Sequence, residues 1–182
     1  MSLASSLPAR SVVPPAESAR LSDAQEARRL IDKGRELRSA GDRANSLAAF
    51  RQAVESDPTN ATATIECGCD HLHLVQIAEA RAAFERSLEL TPDSKPPLIG
   101  LGHTFRHLKQ LDDAKRTFRR ELEPGHGGAS MGLGHTLRSL NRREEALDAF
   151  HAAAKAGHPG AQAEAANPLR DLRRLRRMSG SA

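Results

Sequence analysis

The chain of 182 residues contains no tryptophan, no tyrosine and only two cysteines. Cys67 and Cys69 lie two positions apart, and on a helix their side chains point in directions about 200° apart, which excludes a disulfide between them. Because there is no third cysteine, the chain has no disulfide framework. The sequence therefore fits a reducing compartment.

Long apolar runs are also missing. No run reaches the roughly 18 residues needed to cross a bilayer. The first twenty residues lack the continuous apolar stretch of a secretory signal, since Pro8, Arg10, Pro14 and Pro15 interrupt them. The sequence alone therefore predicts a cytoplasmic protein with no transmembrane segment.

The usual sequence signatures of catalysis do not occur. The chain has no glycine-rich phosphate loop, no nucleophile elbow and no two-histidine metalloprotease motif. We therefore predict that it is not an enzyme and that it carries no cofactor. Its formal net charge of +4 favours acidic partners without specifying a nucleic acid.

What the chain does contain is a periodic pattern of small and aromatic residues. Four glycines and four phenylalanines recur with successive spacings of 34, 34 and 32 residues, and each phenylalanine follows an alanine or serine by four positions. Because the two series share the same spacing, the pattern indicates an array of similar units. A small residue on one helix lets a second helix approach closely, and the phenylalanine then fills the groove between successive hairpins. The positions are Gly34, Gly68, Gly102 and Gly134; Phe50, Phe84, Phe118 and Phe150; and Ser46, Ala80, Ala114 and Ala146.

This pattern resembles the tetratricopeptide repeat (TPR), a helical hairpin with glycine, alanine, phenylalanine or tyrosine, and alanine at its eighth, twentieth, twenty-fourth and twenty-seventh positions. Ala53 and Ala153 match the last of these, and Pro58 and Pro92 lie near the usual proline at the end of the unit. The resemblance covers roughly residues 24 to 159. It implies an all-α fold, a right-handed superhelix of antiparallel hairpins with a C-terminal capping helix.

Some positions depart from the family pattern. The aromatic residues usual at the fourth and eleventh positions are mostly replaced, and the third unit is two residues short, with residues 123–128 as an irregular junction. The last two units are the most alike, since the pentapeptide Gly100 to Thr104 recurs as Gly132 to Thr136. The fourth-position residues are Leu30, Thr64, Leu98 and Ser130, and the eleventh-position residues are Leu37, His71, Phe105 and Leu137.

The pattern also predicts the domain boundaries. Residues 1–21, rich in serine, alanine and proline, are expected to form a disordered arm, with Ser22 or Asp23 capping the first helix. Residues 22–160 are expected to form the array, followed by a basic capping helix and tail over residues 161–182. The predicted units span about residues 27–60, 61–94, 95–126 and 127–159. The predicted helices span residues 23–41, 44–56, 61–74, 77–90, 96–108, 111–122, 129–140 and 143–156.

The C-terminal segment after Asn167 places Leu169, Leu172, Leu175 and Met178 three apart among arginines, the pattern of an amphipathic basic helix. We interpret it as a solubilising cap of the last repeat. Contact with an acidic partner or an anionic membrane surface is the alternative, followed by contact with nucleic acid phosphate.

In the family that this chain resembles, the first helix of each hairpin lines a concave face. Its second, fifth, ninth, twelfth and thirteenth positions point toward a ligand. The resemblance therefore implies a groove with many cations and no acidic side chain. Arginine forks suit carboxylates, so we expect an acidic peptide segment or a free C-terminal carboxylate as ligand, the alternative being an ordinary solvated basic face. The implied groove residues are Arg28, Ile31, Arg35, Arg38, Ile65, Cys69, His73, Ile99, His103, Arg106, His107, Met131, His135 and Arg138.

His103 and His135 occupy equivalent positions of adjacent units. At usual helix packing distances they would stand about 10 Å apart, too far to share a metal ion directly. Their protonation is expected to strengthen anion binding as the pH falls below about 6.5. The alternative is that they are ordinary groups lining the groove.

The segment from Cys67 to His73 resembles a metal-binding sequence. Cys67 and His71 share one helical face, and Cys69 and His73 share nearly the opposite one, so neither pair supplies the four ligands of a structural zinc site. In the repeat register Cys67 and His71 occupy core positions. We therefore predict packing rather than metal binding, with a metal site or redox sensing through Cys69 as alternatives.

The sequence thus predicts a non-catalytic protein-protein interaction scaffold. Its affinity would come from apolar contacts at Ile31, Ile65, Ile99 and Met131, and its specificity from the arginines. Two alternatives stay open at this point. One is a secretion or assembly chaperone for a specific client, and the other is a regulatory repeat subunit of an enzyme.

Overall fold

The structure is a computed structural model that describes residues 15–122 and 126–166. All regular secondary structure in this part of the chain is helical, which confirms the predicted all-α fold. The helices are α1 (Pro15–Ser39), α2 (Arg43–Ser56), α3 (Ala61–His73), α4 (Ile77–Leu90), α5 (Lys95–His107), α6 (Leu111–Arg120), α7 (Gly127–Ser139), α8 (Arg143–Lys155) and α9 (Ala161–Ala165).

Consecutive helices pack as hairpins: α1 with α2, α3 with α4, α5 with α6, and α7 with α8. The chain divides into two compact units, one ending at Asn60 and the other beginning at Ala61. The first unit contains the hairpin α1–α2. The second contains the other three hairpins and the short helix α9, which packs on α8 and buries Ala161 and Ala165. Residues 167–182, which include most of the predicted basic capping helix, lie outside the described residues.

The first helix is longer than the sequence pattern predicts. It begins at Pro15, so the predicted cap at Ser22 or Asp23 is wrong, as is the disordered arm for residues 15–21. Proline suits the first helical position, where its missing N–H would lack a partner anyway. Alanine, glutamate, arginine and leucine dominate the residues that follow, and these are strong helix formers. Residues 1–14 lie outside the described residues.

The two helices of each hairpin are joined by the same turn. One residue of the turn has a left-handed backbone, and the N–H of the residue after it donates to a carbonyl five residues back, which completes a Schellman motif. Glycine accepts this backbone without steric cost, but only one of the four turns has glycine there. The left-handed residues are Gly41 (φ 86), Val75 (φ 61), Lys109 (φ 62) and Asn141 (φ 60), and the closing bonds run from Asp42 to Leu37, Gln76 to His71, Gln110 to Phe105 and Arg142 to Leu137.

The third hairpin ends differently from its prediction. Helix α6 ends at Arg120 instead of Leu122, and α7 begins at Gly127 instead of Ala129. The predicted irregular junction over residues 123–128 is therefore wrong for its last two residues, which are helical. Residues 123–125 lie outside the described residues. The remaining helix ends of these three hairpins lie within one residue of their predicted positions.

The core of each hairpin is built around its phenylalanine. Phe50, Phe84, Phe118 and Phe150 are buried, as are the small residues four positions before them. A Cβ added to the glycine at the eighth position would lie 2.5 to 2.7 Å from the ring of its own hairpin, closer than real Cβ contacts. The predicted contact between small residue and phenylalanine is confirmed. The pairs are Gly34 with Phe50, Gly68 with Phe84, Gly102 with Phe118, and Gly134 with Phe150.

A second set of glycines joins successive hairpins of the second unit. A Cβ on Gly100 would lie 2.4 Å from the ring of Phe84, and a Cβ on Gly132 would lie 2.4 Å from the ring of Phe118. Each of these two rings is therefore held between a glycine of its own hairpin and a glycine of the next. The sequence shows the recurrence of this second glycine but not its contact.

Candidate functional site

The predicted groove residues of α1 belong to the first unit. Arg28 and Arg35 are exposed, and Arg38 is partly buried, with its guanidinium carbon 4.7 Å from the centroid of the Phe50 ring. Ile31 is only 5% exposed. Its predicted ligand contact is therefore wrong, because this side chain is already covered by the protein itself.

The predicted apolar contacts in the second unit lie at the border of the core. Ile65 and Cys69 are partly buried against the cluster formed by Ala80, Phe84 and Leu101. Ile99 and Met131 pack in the same way against a second cluster, around Phe118 and Phe150. Each of these four side chains keeps part of its surface exposed, so it contributes to the core and leaves an apolar surface beside it.

His103 and His135 lie in equivalent places on α5 and α7. The imidazole of His103 meets the ring of Phe118 edge to face, with centroids 5.1 Å apart and an angle of 72°. His135 meets Phe150 in the same way, at 5.2 Å and 71°. Such edge-to-face pairs are favourable for aromatic groups, and here they fix each histidine on the phenylalanine of its own hairpin.

The pKa of His103 is lowered to about 4, first by burial and then by the neighbouring positive groups, Arg106 first among them. Burial also lowers the pKa of His135, with Arg138 as the next cause. For His107 the causes are again burial and then Arg106. The expectation that protonation of these histidines strengthens anion binding below about pH 6.5 is therefore wrong for His103, since desolvation keeps its imidazole neutral well below that pH.

Arg138 is held by three neighbours. One guanidinium nitrogen donates to a carboxylate oxygen of Glu164 at 2.5 Å, and the other donates to Nδ1 of His135 at 2.9 Å. The guanidinium carbon lies 5.5 Å from the centroid of the Phe150 ring. Glu164 belongs to α9, so the predicted absence of acidic side chains from this surface is wrong. The groove positions implied by the repeat register end with the fourth hairpin, so they do not include this carboxylate on the helix that follows it.

Arg106 occupies the equivalent position of the preceding hairpin. It is partly buried, and desolvation together with the nearby charge of Arg138 lowers its pKa. Within residues 15–122 and 126–166, its guanidinium forms no ion pair and no hydrogen bond. Helices α5 and α7 contact one another, and the charge of Arg138 on α7 lowers the pKa of Arg106 on α5. We call His103, Arg106, His135 and Arg138 the α5–α7 cation cluster.

The segment from Cys67 to His73 packs as predicted. Cys67 and His71 are buried, and Nδ1 of His71 donates to the side-chain oxygen of Gln76 at 2.7 Å. His73 is exposed and donates from Nδ1 to the carbonyl oxygen of Cys69 at 2.8 Å. In the described part of the chain, no group of three or more histidine, cysteine or acidic side chains is arranged to hold a metal ion.

Among the described helices, none is both long enough and apolar enough to cross a membrane.

Successive hairpins with the same turn, the same buried phenylalanine and the same facing glycines define a helical repeat protein. Residues 31–95 match the family model described as tetratricopeptide repeat. The hairpins on both sides of this stretch repeat its glycine and phenylalanine contacts. The fold of the chain is therefore that of tetratricopeptide repeat proteins.

Solved structures of this fold are similar to the chain. TTC0263, a thermophilic TPR protein in Thermus thermophilus, superposes with a TM-score of 0.70 at 17% identity, over 76% of this chain and 80% of that one. YrrB, a TPR protein with an unusual peptide-binding site, has a TM-score of 0.58 at 25% identity, over 84% and 80%. The first TPR of Spaghetti (RPAP3), bound to the HSP90 peptide SRMEEVD, has a TM-score of 0.60 at 22% identity, over 65% and 95%. No curated protein matches the chain in sequence.

Proposed function

We propose that the protein is a non-catalytic protein-protein interaction scaffold that binds an acidic segment of a partner on the α5–α7 cation cluster. Repeats of this fold commonly supply binding surfaces, and the specificity of each surface resides in its side chains. The observation that carries the proposal is the charge balance of the cluster. Two guanidinium groups lie near one another, and among the described residues only that of Arg138 has a carboxylate partner, Glu164.

This balance favours an anionic partner for a physical reason. Burial lowers the pKa of Arg106, and the nearby charge of Arg138 is the next cause, so the positive charge of Arg106 is held at a cost in free energy. A partner carboxylate would relieve the repulsion and accept hydrogen bonds from the guanidinium, which are stronger than bonds between neutral groups. The histidines of the cluster contribute little charge at neutral pH, so the arginines determine its sign.

The apolar residues beside the cluster provide the second part of the surface. Ile99 and Met131 lie on the same two helices as the four cluster residues, and both are partly exposed. Interfaces combine such apolar contacts with a few charged groups that fix orientation. We propose that a partner segment covers these side chains while its carboxylates meet the arginines. We also propose that the exposed arginines of α1, Arg28 and Arg35, attract acidic partners. The proposed location is the cytoplasm.

Two of the similar structures support the proposal at the level of the fold. The RPAP3 repeat is bound to a peptide with two glutamates and an aspartate, and YrrB is described as having a peptide-binding site. These are properties of those proteins. They show that the fold accommodates peptides, and the charge of the cluster selects which peptides this chain would prefer.

The test is the affinity for two terminally blocked peptides, one of alternating glutamate and alanine and the other with glutamine in place of glutamate, measured by isothermal titration calorimetry. We expect the wild-type protein to bind the glutamate peptide at least about tenfold more tightly, equivalent to about 1.4 kcal/mol. The double variant Arg106→Glu, Arg138→Glu should lose this preference.

The matched control is Arg51→Glu, Arg86→Glu, which makes the same change of charge on exposed residues of the second helices α2 and α4. It should keep the preference for glutamate. Equal affinity of the wild-type protein for the two peptides would overturn the proposal, as would an equal loss of preference in both double variants.

A further inference from the structure

We propose that Arg106 is a binding site for one carboxylate of the partner, arranged in the way that the fourth hairpin arranges its internal ion pair between Arg138 and Glu164. This inference rests on the proposed function, because it assumes an acidic partner segment. It adds which residue receives the carboxylate and which chemical group the partner must present there.

The first observation is that two hairpins carry the same constellation. In each, a histidine on the first helix lies edge to face on the phenylalanine of the second, and an arginine follows three residues later. In each, the threonine after the histidine donates its hydroxyl to a glycine carbonyl one turn back, at 2.9 Å in α5 and 2.8 Å in α7, which fixes the helix at this point. The two sets are His103, Thr104, Arg106 and Phe118, and His135, Thr136, Arg138 and Phe150.

The second observation is that only one of the two arginines has a carboxylate. Glu164 is the fourth residue of α9, the helix that follows the fourth hairpin, and it pairs with Arg138. The fourth residue of α7, the helix that follows the third hairpin, is Ser130, which is buried and uncharged. The substitution of serine for glutamate at this repeat position leaves Arg106 with no ion pair among the described residues.

The third observation is that Arg106 is not an ordinary surface cation. It is partly buried beside a second guanidinium, whereas charges removed from water in proteins are usually paired. A surface arginine avoids this desolvation cost, because its long side chain keeps the guanidinium in water. A carboxylate from outside the chain would provide the missing partner and would form the hydrogen bonds that Glu164 forms with Arg138.

The chemistry of the site favours a carboxylate over a phosphate. A phosphate carries close to two negative charges and is usually bound by several cations. At Arg106 the neighbouring His103 is neutral, and the other nearby guanidinium, Arg138, is already paired with Glu164. One available guanidinium matches one carboxylate, which it can hold through two parallel hydrogen bonds.

The experiment compares single variants of the full chain with a terminally blocked alanine-rich peptide that carries one glutamate. We expect Arg106→Gln to lower the affinity about tenfold, and Arg106→Lys to lower it less, because lysine keeps the charge but loses the two parallel bonds. Arg138→Gln, which removes an arginine that already has a carboxylate, should change the affinity less than about twofold. Far-UV circular dichroism of each variant verifies the fold.

Three results would overturn the inference. The first is a loss of affinity in Arg138→Gln as large as the loss in Arg106→Gln. The second is unchanged binding in Arg106→Gln while the wild-type protein still prefers glutamate peptides, a result that would leave the proposed function intact. The third is tighter binding of the same peptide with phosphoserine in place of glutamate, which would replace the carboxylate by a phosphate.

Discussion

Gly132 on α7 lies against the ring of Phe118 on α6, so close that a Cβ in its place would stand 2.4 Å from two of the ring atoms. The ring also lies against Gly102 of its own hairpin, where the corresponding distance is 2.7 Å. Phe118 is fully buried, so its ring has no room to move away. The missing side chain of Gly132 is thus a requirement of the packing between the third and fourth hairpins.

Replacing Gly132 by alanine should destabilise the protein. Overpacking of a filled core costs about 1 to 3 kcal/mol, and the better helix propensity of alanine returns at most about 1 kcal/mol of this. We therefore expect a net loss of about 1 to 2 kcal/mol in the free energy of unfolding, measured by urea denaturation. The control is Gly128→Ala on the same helix, where the added Cβ would have its nearest neighbour at 3.8 Å. That variant should be neutral or slightly stabilised, and equal losses in both variants would contradict the prediction.

Val75 should be a site where substitution increases stability. It is 68% exposed, and its backbone is left-handed, a conformation that costs a β-branched residue about 1 to 2 kcal/mol. Asparagine tolerates this backbone, and the fourth hairpin has Asn141 at the equivalent position. We expect Val75→Asn to raise the free energy of unfolding by about 1 kcal/mol.

The reciprocal change, Gly41→Val at the same turn of the first hairpin, should lower the free energy of unfolding by about 1 to 2 kcal/mol. Urea denaturation measures both variants. A lower free energy of unfolding in Val75→Asn would contradict the prediction, because it would show that the valine side chain stabilises the fold by more than its backbone strain costs.

The stability of the protein should depend on His103 in mildly acidic solution. Its pKa is about 4 in the folded state, below the ordinary value of 6.5 that it regains on unfolding. Between these two values the unfolded state binds more protons, so stability falls as the pH decreases from 6.5 toward 4, by at most about 1.4 kcal/mol per pH unit from this group. His103→Gln should reduce the slope of stability against pH in that window. The exposed His151→Gln is the matched control and should leave the slope unchanged.

Glu164→Gln should make Arg138 available to an acidic ligand. The ion pair that it removes is partly exposed, and such pairs contribute about 0.2 to 1 kcal/mol, so affinity for the glutamate-alanine peptide should rise by about 1.4- to fivefold. Titration calorimetry measures the change. Gln162→Asn, on the exposed side of the same short helix, is the control and should have no effect. A decrease in affinity for Glu164→Gln would show that α9 supports ligand binding instead of competing with it.

The sequence predicts the hairpins well because their determinants are local. The glycine and phenylalanine that recur in each unit are the residues that touch in the structure, as with Gly34 and Phe50. The beginning of α1 was missed because the repeat register ends near residue 24, and the helix before it depends on propensity alone. The second glycine contact, such as that between Gly100 and Phe84, joins two units, and a pattern within one unit does not reveal it.

The candidate site was less predictable, since charge, burial and pairing are properties of the folded chain. The register places Arg106 and Arg138 at equivalent positions of adjacent hairpins, and in the folded chain the charge of Arg138 lowers the pKa of Arg106. It does not show that Ile31 is covered, that His103 is desolvated, or that Glu164 reaches Arg138 from a helix beyond the last hairpin. Each of these depends on side chains from another element, so sequence spacing alone gives no signal for them.

The two rings shared between hairpins also govern how residues 61–166 come apart. A hairpin that detached from its neighbour would expose Phe84 or Phe118 to water, and uncovering such a ring costs about 1.5 to 3 kcal/mol. Partial melting is therefore penalised at each of these junctions. In this part of the chain we expect amide hydrogens on α3 through α8 to exchange with similar protection, as in a single cooperative block, instead of fraying one repeat at a time.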